Sequence, residues 1–299
     1  MKIDLFDDDE LFDEEPVAPR QRPPREPKRR RRGGGSGETA KRIIVALPWI
    51  VFAIAITVAG GIVFAAAMIG LGVVAFGEYA GMTSRYRPLV IPAYVSVAAL
   101  VVAAHFGTAF NVLCVLAATF PLLFAFAARA GQREGATVSL GVTLLGVLWI
   151  GVPLAHAVFL RGLPDHGAAL LIDVLVGTFV ADTAAYATGR MFGSHKIAPN
   201  LSPNKTVEGL IGGFLIGTMG FWFAGLYQDW LSGVDALLIG AAVAAVAPIG
   251  DLFESMLKRD LGTKDTGALF GPHGGLLDRL DAALFTIVVG YYLSVAVVY

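Results

Sequence analysis

Apolar stretches of membrane-spanning length alternate with short polar interruptions from Ile43 to the last residue. A helix needs about 20 apolar residues to cross roughly 30 Å of hydrocarbon. By this criterion we predict about nine transmembrane helices, at residues 43–60, 61–78, 88–105, 108–128, 137–159, 168–188, 208–226, 235–250 and 282–299. Only Gly60 and Gly61 separate the first two, and 235–250 is short. The pattern predicts an all-α, polytopic integral membrane protein.

Residues 1–41 differ from everything that follows. They hold the acidic run Asp7 to Glu10 and then a Pro/Arg-rich block, with few apolar side chains to bury. We therefore expect a disordered charged tail before a membrane-embedded domain over 42–299. The basic run could dock on anionic lipid headgroups, or it could only help to keep the N-terminus in the cytoplasm.

The basic residues predict an orientation in the membrane. With the tail inside, the predicted cytoplasmic loops hold eleven of the twelve Lys and Arg residues after position 42, and the opposite loops hold only Arg161. Such a bias marks the cytoplasmic side. The chain is 56% hydrophobic and 16% charged, which excludes an ordinary soluble domain. We expect a multi-pass protein of the cell (inner or plasma) membrane with its N-terminus in the cytoplasm.

The segment "KDTGALFGPHGGLLDRLD", residues 264–281, gathers charge and glycine in an otherwise apolar chain. Asp251 precedes it, at the predicted end of a span, in "DLFESMLKRD", which suits a short amphipathic helix leaving the membrane. Asp278 and Asp281 lie three residues apart and would share a helix face. Carboxylates with few His or Cys partners favour Mg²⁺ over zinc. Asp251, Asp265, Asp278 and Asp281 therefore predict a metal site, although each acid alone would suit a solvated loop.

Asp182 is a second acidic signal. It lies in "ADTAAYATGR", about 10 Å inside the cytoplasmic end of the predicted span 168–188. An ionised Asp at such a depth costs roughly 2.5–3.5 kcal/mol on insertion scales. We expect it to face a polar cavity and to meet a cation, a lysine or a substrate.

The stretch "LSPNKTVEG", residues 201–209, opens the span 208–226. Ser202 suits an N-cap and Pro203 a first helical position. The free N–H groups of that helix end, with Lys205 and Thr206 beside them, would form an anion site for phosphate. Ordinary capping with an interfacial lysine explains the stretch equally well.

Gly209, Gly213 and Gly217 recur every fourth residue on one predicted helix. This spacing lets a neighbouring helix approach closely. It suits packing within the chain, and equally a seam between two copies in a homodimer.

An acidic metal site, basic anion contacts and a glycine-rich loop at one cytosolic membrane face suit phosphoryl or nucleotidyl transfer to a lipid. Residues 255–281, "SMLKRDLGTKDTGALFGPHGGLLDRLD", resemble the signature of phosphatidate cytidylyltransferases, also called CDP-diacylglycerol synthases. The matching positions are Ser255, Lys258, Arg259, Lys264, Asp265, Gly267, His273, Gly274, Gly275, Asp278, Arg279 and Asp281. The resemblance extends over about residues 42–299. One departure is Asn204, which stands where a second lysine is common.

The resemblance implies that CTP and phosphatidic acid react to give CDP-diacylglycerol and pyrophosphate, with Mg²⁺ and a possible second cation as cofactors. Asp251, Asp278 and Asp182 would bind metal. Asp265, His273, Lys264 and Asp281 would act at the reacting groups. Substrate would be held by Ser202, Lys205, Thr206, Lys258, Arg259, Gly274, Gly275 and Arg279. The partners are then CTP and membrane lipid, with no nucleic acid.

Two alternatives stay open. A CTP-dependent kinase of polyprenol or phytol would transfer the γ-phosphoryl group and release CDP. A cation-coupled transporter would use the intramembrane acids, but it should place its binding groups near the midplane, whereas the polar residues here gather in cytosolic loops.

Overall fold

The computed structural model describes residues 50–131, 134–199, 201–267 and 274–299. The predicted tail at 1–41, the start of the predicted span 43–60 and His273 lie outside the described residues.

Within these ranges the chain is almost entirely helical. The α-helices are α1 (Ile50–Ala59), α2 (Gly61–Met82), α3 (Val90–Phe106), α4 (Ala109–Arg129), α5 (Ala136–Gly146), α6 (Val152–Arg161), α7 (Gly167–Phe192), α8 (Val207–Gly225), α9 (Gly233–Asp260) and α10 (Leu277–Val297). A π-helical turn, Val147–Gly151, joins α5 to α6 in one 26-residue helical span.

Seven of the described helical spans are long and apolar enough to cross a membrane, and α1 and α3 are shorter apolar helices. Only 17% of the apolar part of α4 is buried inside the protein. Its many exposed apolar side chains suit contact with lipid. The prediction of an all-α integral membrane protein is confirmed. The count of nine spans and the cytoplasmic N-terminus stay predictions.

The helix expected for "DLFESMLKRD" is present, but it is not a separate element, because α9 continues without a break through Asp251 to Asp260. Phe253 and Leu257 pack against the hydrophobic core, and the basic residues of the last turn, Lys258 and Arg259, suit the negative end of the helix dipole. At 1.5 Å per residue this helix is about 42 Å long. Asp251 and the turns that follow it are therefore parts of one continuous helix.

The predicted N-cap at Ser202 is wrong. Residues Ser202–Thr206 form a strand, β2, that pairs with β1 (Lys196–Ala198) in an antiparallel hairpin. Strand pairing keeps the backbone of Ser202 extended. The N-cap of α8 is therefore Thr206, whose Oγ1 accepts a hydrogen bond from the Gly209 N–H at 3.1 Å. The hairpin therefore delivers Lys205 to the start of α8.

The rotation of α2 is fixed by two fully buried aromatic side chains, Phe76 and Tyr79. The Tyr79 hydroxyl donates a hydrogen bond to the Val142 carbonyl at 2.8 Å. Because Glu78 adjoins Tyr79 in the helix, this anchoring also fixes the direction of the Glu78 side chain, which reaches the start of α10.

The glycine stripe of α8 packs against α7. A Cβ added to Gly213 would lie 2.9 Å from the Ala181 carbonyl oxygen, and one on Gly217 would lie 3.0 Å from Ala181 Cα. The stripe is thus used inside the chain, as expected for close helix packing. A homodimer stays a prediction.

We predict that Gly217→Leu destabilises the protein by about 1–3 kcal/mol through overpacking. Thermal unfolding of the purified protein in detergent measures the effect. The matched control is Gly141→Leu, since a Cβ at Gly141 in α5 meets nothing within 4 Å and the gain in helix propensity is the same. Equal midpoints for the two variants would contradict the packing.

Candidate active site

Charged side chains from several helices meet at one end of the bundle. They come from the last turns of α2 and α9, the first turns of α10, and the hairpin that leads into α8. Because neighbouring helices run in opposite directions, the start of one lies beside the end of another. The site therefore combines residues that are far apart in sequence.

Lys258 bridges two carboxylates. Its Nζ lies 2.7 Å from Glu254 Oε2, one turn earlier in α9, and 2.8 Å from Asp278 Oδ1 in α10. The three side chains are 17%, 1% and 13% exposed for Lys258, Glu254 and Asp278. Buried charges of this kind persist only when they are paired. This bridge joins α9 to α10.

Asp278 is held on its other oxygen as well. Oδ2 accepts hydrogen bonds from the Thr266 N–H at 3.0 Å, the Thr266 hydroxyl at 2.9 Å and the Gly275 N–H at 2.7 Å. Gly274 has φ of 84°, and a Cβ there would lie 2.6 Å from Asp278 Oδ2. Glycine is thus required for the close approach between this backbone and the carboxylate.

Lys205 and Asp251 form a second ion pair, 2.8 Å between Nζ and Oδ2. Lys205 also donates to the Pro248 carbonyl at 3.4 Å, and the Ser255 hydroxyl donates to Asp251 Oδ1 at 3.3 Å. The pair is more open than the Lys258 bridge, because the Asp251 side chain is 40% exposed. It connects the hairpin to the middle of α9.

Asp182 and Asp281 face the same group of charges. Asp182, in α7, interacts electrostatically with Asp251 and Lys205. Asp281, in α10, interacts with Glu254, Asp251 and Asp182, and its Oδ1 accepts the Ala282 N–H at 2.8 Å. The electrostatic interaction with Lys205 agrees with a charged environment for Asp182, whereas its place in a polar cavity and its role towards a cation or substrate stay predictions.

The remaining predicted residues lie at the edge of the site. Thr206 is buried and caps α8, whereas Ser202 pairs with Ala198 in the hairpin. The Arg259 side chain donates to the Leu201 carbonyl at 3.2 Å. The Lys264, Asp265 and Arg279 side chains are exposed.

Three residues of the site were missed at the sequence level: Glu78, Glu254 and Thr266. Glu78 accepts the N–H groups of Leu276 and Leu277, both at 2.9 Å. An isolated acid inside the apolar stretch 61–82 was the available signal, since such acids seldom occur without a partner. Glu254 could have been found from its spacing, four residues before Lys258.

The sequence was compared with those of known protein families. Residues 40–297 match the cytidylyltransferase family over most of the chain. The chain belongs to the cytidylyltransferase family. A protein named phosphatidate cytidylyltransferase in Synechocystis is 30% identical over 293 residues, which is 85% of this chain and 96% of the relative.

Other cytidylyltransferase relatives match over shorter regions. The phosphatidate cytidylyltransferase of Thermotoga maritima is 39% identical over 167 residues, 54% of this chain and 62% of the relative. That of Haemophilus influenzae is 40% identical over 124 residues, 40% and 43% of the two chains. The chain thus spans less than two thirds of the length of these two relatives.

Among the described residues, the acids of the site do not by themselves form a metal centre. No three His, Cys, Asp or Glu side chains of the described residues form a group that could hold a metal ion, so the predicted sharing of one ion by Asp251, Asp265 and Asp278 is not seen. The donor set still suits Mg²⁺, because it consists of carboxylate oxygens. Buried Glu254 Oε1 has no hydrogen-bond partner in the described chain, and Lys205 and Lys258 neutralise only part of the negative charge.

We predict that Lys258→Met costs about 3–5 kcal/mol of stability, because two largely buried carboxylates lose their shared cation. Thermal unfolding in detergent measures this. Adding Glu254→Gln to the variant should recover part of the loss, since it removes one uncompensated charge.

The matched control is Lys264→Met, because the Lys264 side chain is exposed and its loss should change stability by less than about 0.5 kcal/mol. Equal destabilisation by the two lysine substitutions would show that Lys258 does not neutralise the buried acids.

Proposed function

We propose that this chain transfers the cytidylyl group of CTP to phosphatidic acid, giving CDP-diacylglycerol and pyrophosphate. The observation that carries the proposal is the 2.8 Å contact between Lys258 and Asp278. These residues stand at opposite ends of the signature at 255–281, and the fold brings them together beside helices long enough to span a membrane. The names of the relatives support the same reaction.

The reaction needs charge neutralisation more than covalent help from the protein. An oxygen of the phosphatidate phosphate attacks the α-phosphorus of CTP, forming a new P–O bond. The bond from the α-phosphorus to the bridging oxygen of the β-phosphate breaks, and pyrophosphate leaves with its electron pair. Negative charge grows on the leaving group, so positioned cations lower the barrier.

Lysines of the site are suited to this task. Lys205 and Lys258 would exchange a carboxylate partner for a phosphate oxygen when substrate binds. Arg259, Lys264 and Arg279, at the edge, would bind the outer phosphates. Gly274 and Gly275 would contact the substrate through backbone groups, because the side of each glycine that lacks a Cβ faces Asp278 or Glu78.

The acids would hold Mg²⁺ through Asp251, Asp278 and Asp182. When bound, the ion polarises phosphoryl oxygens and neutralises the leaving group. By the resemblance, Asp265, His273 and Asp281 would act at the reacting groups, and Ser202 and Thr206 would contact the substrate phosphates. We also propose that the site faces the cytoplasm from the inner or plasma membrane, because the basic residues concentrate at that end and CTP is a cytosolic nucleotide.

The direct test is incubation of the purified full-length protein with CTP, phosphatidic acid and Mg²⁺. CDP-diacylglycerol and pyrophosphate in equal amounts are expected. A lipid monophosphate with CDP, formed from a polyprenol instead, would show the kinase alternative. Cation flux in proteoliposomes without turnover would show the transporter alternative.

We predict that Asp278→Asn lowers kcat at least about 100-fold, because several kcal/mol of charge stabilisation depend on this carboxylate. The same product assay measures it. The control is Asp260→Asn, since Asp260 ends the neighbouring helix with a 69% exposed side chain and should keep wild-type activity. A folded Asp278→Asn protein with near-normal kcat would refute the role of Asp278.

A further inference from the structure

Helix α2 sends a carboxylate into the signature segment from outside it. Glu78 Oε1 accepts the Leu276 N–H and Oε2 accepts the Leu277 N–H, each at 2.9 Å. These are backbone donors at the start of α10, which the helix itself cannot satisfy. The charge of Glu78 also lies at the positive end of the α10 dipole, where an anion is favoured.

The same carboxylate contacts the chain before the glycine-rich stretch. The Thr266 hydroxyl lies 3.4 Å from Glu78 Oε2, and a Cβ on Gly267 would lie 2.7 Å from Oε1. Glu78 therefore contacts the described residues on both sides of positions 268–273.

Glu78 and Asp278 both contact Thr266 and Gly275. Thr266 donates its N–H and its hydroxyl to Asp278 and lies beside Glu78. Gly275 donates its N–H to Asp278, and a Cβ on Gly275 would collide with Glu78 and Thr266. Asp278 directly follows Leu277 in α10. We therefore expect that a substitution at Glu78 shifts the position of the Asp278 carboxylate.

We propose that Glu78 is a positioning residue of the active site: through the N–H groups of Leu276 and Leu277 it sets the start of α10 and so the place of the Asp278 carboxylate. The first part of the chain, which lies outside the signature, thus contributes to turnover. This inference rests on the proposed function for its kinetic consequence, and on hydrogen bonding alone for its structural one.

The test compares Glu78→Gln, Glu78→Asp and wild type in the full-length protein. Gln keeps the shape of the side chain, but its NH₂ group would face the N–H of Leu276 or Leu277, so that two hydrogen-bond donors oppose each other. Asp keeps the charge on a shorter stem. We expect Glu78→Gln to lower kcat about 10- to 100-fold, as for a small misplacement of a reacting group, with KM for CTP within about three-fold. Glu78→Asp should recover part of kcat.

A second readout needs no substrate. Amide hydrogen exchange of the peptide covering 274–280 should quicken at least about ten-fold in Glu78→Gln, because local opening becomes easier, while exchange in α8 stays unchanged. If the wild type lacks cytidylyl transfer, the proposed function fails, and the exchange result still decides whether Glu78 holds the segment.

The matched control is Asp235→Asn. Asp235 is an acid in the first turn of α9, at the opposite end of that helix from the site, and it accepts a hydrogen bond from the Ser232 hydroxyl at 2.6 Å. Loss of this negative charge from the first turn of α9 should lower stability slightly without changing kcat. The proposal is overturned if Glu78→Gln behaves like this control, or if exchange of 274–280 equals that of the wild type.

Discussion

The ammonium group of Lys258, held between Glu254 and Asp278, is the interaction on which the rest of the site depends. Glu254 is 1% exposed, so its charge is tolerable only beside a cation. The helix α9 supplies both Lys258 and Glu254, one turn apart, and α10 supplies Asp278. The contact therefore joins α9 to α10. It also neutralises the Glu254 carboxylate, whose charge would otherwise be unfavourable among apolar side chains.

The surrounding charges repeat this arrangement. Lys205 reaches Asp251 from the hairpin before α8, and Asp182 and Asp281 face the same pair of helices. The acids outnumber the lysines that contact them among the described residues, so the site carries a negative charge that a divalent cation would balance. The glycine stripe of α8 packs on Ala181 of α7, the residue next to Asp182. Membrane packing and site chemistry are consequently properties of one set of contacts.

The helical membrane fold could be predicted from the sequence, because long apolar runs have few explanations. The acids were predicted only in part: Asp251 and Asp278 form ion pairs with lysines, whereas the Asp265 side chain is exposed. Boundaries were less predictable. Asp251 looked like the end of a span, yet α9 continues, since the charges of its last turns are satisfied by other helices. Ser202 was predicted to be an N-cap, but it pairs with Ala198 in the hairpin, and Thr206 caps α8 instead. The contact of Glu78 with Leu276 and Leu277 joins residues about 200 positions apart, which local patterns cannot show.

The most direct test of the account is an experimental structure of the protein with CTP and Mg²⁺ and without phosphatidic acid, so that the nucleotide is not consumed. We predict that the triphosphate lies within hydrogen-bond distance of Lys205 or Lys258 and that Asp251 or Asp278 holds Mg²⁺. Nucleotide bound at any other part of the chain, with both lysine–carboxylate pairs intact, would contradict it.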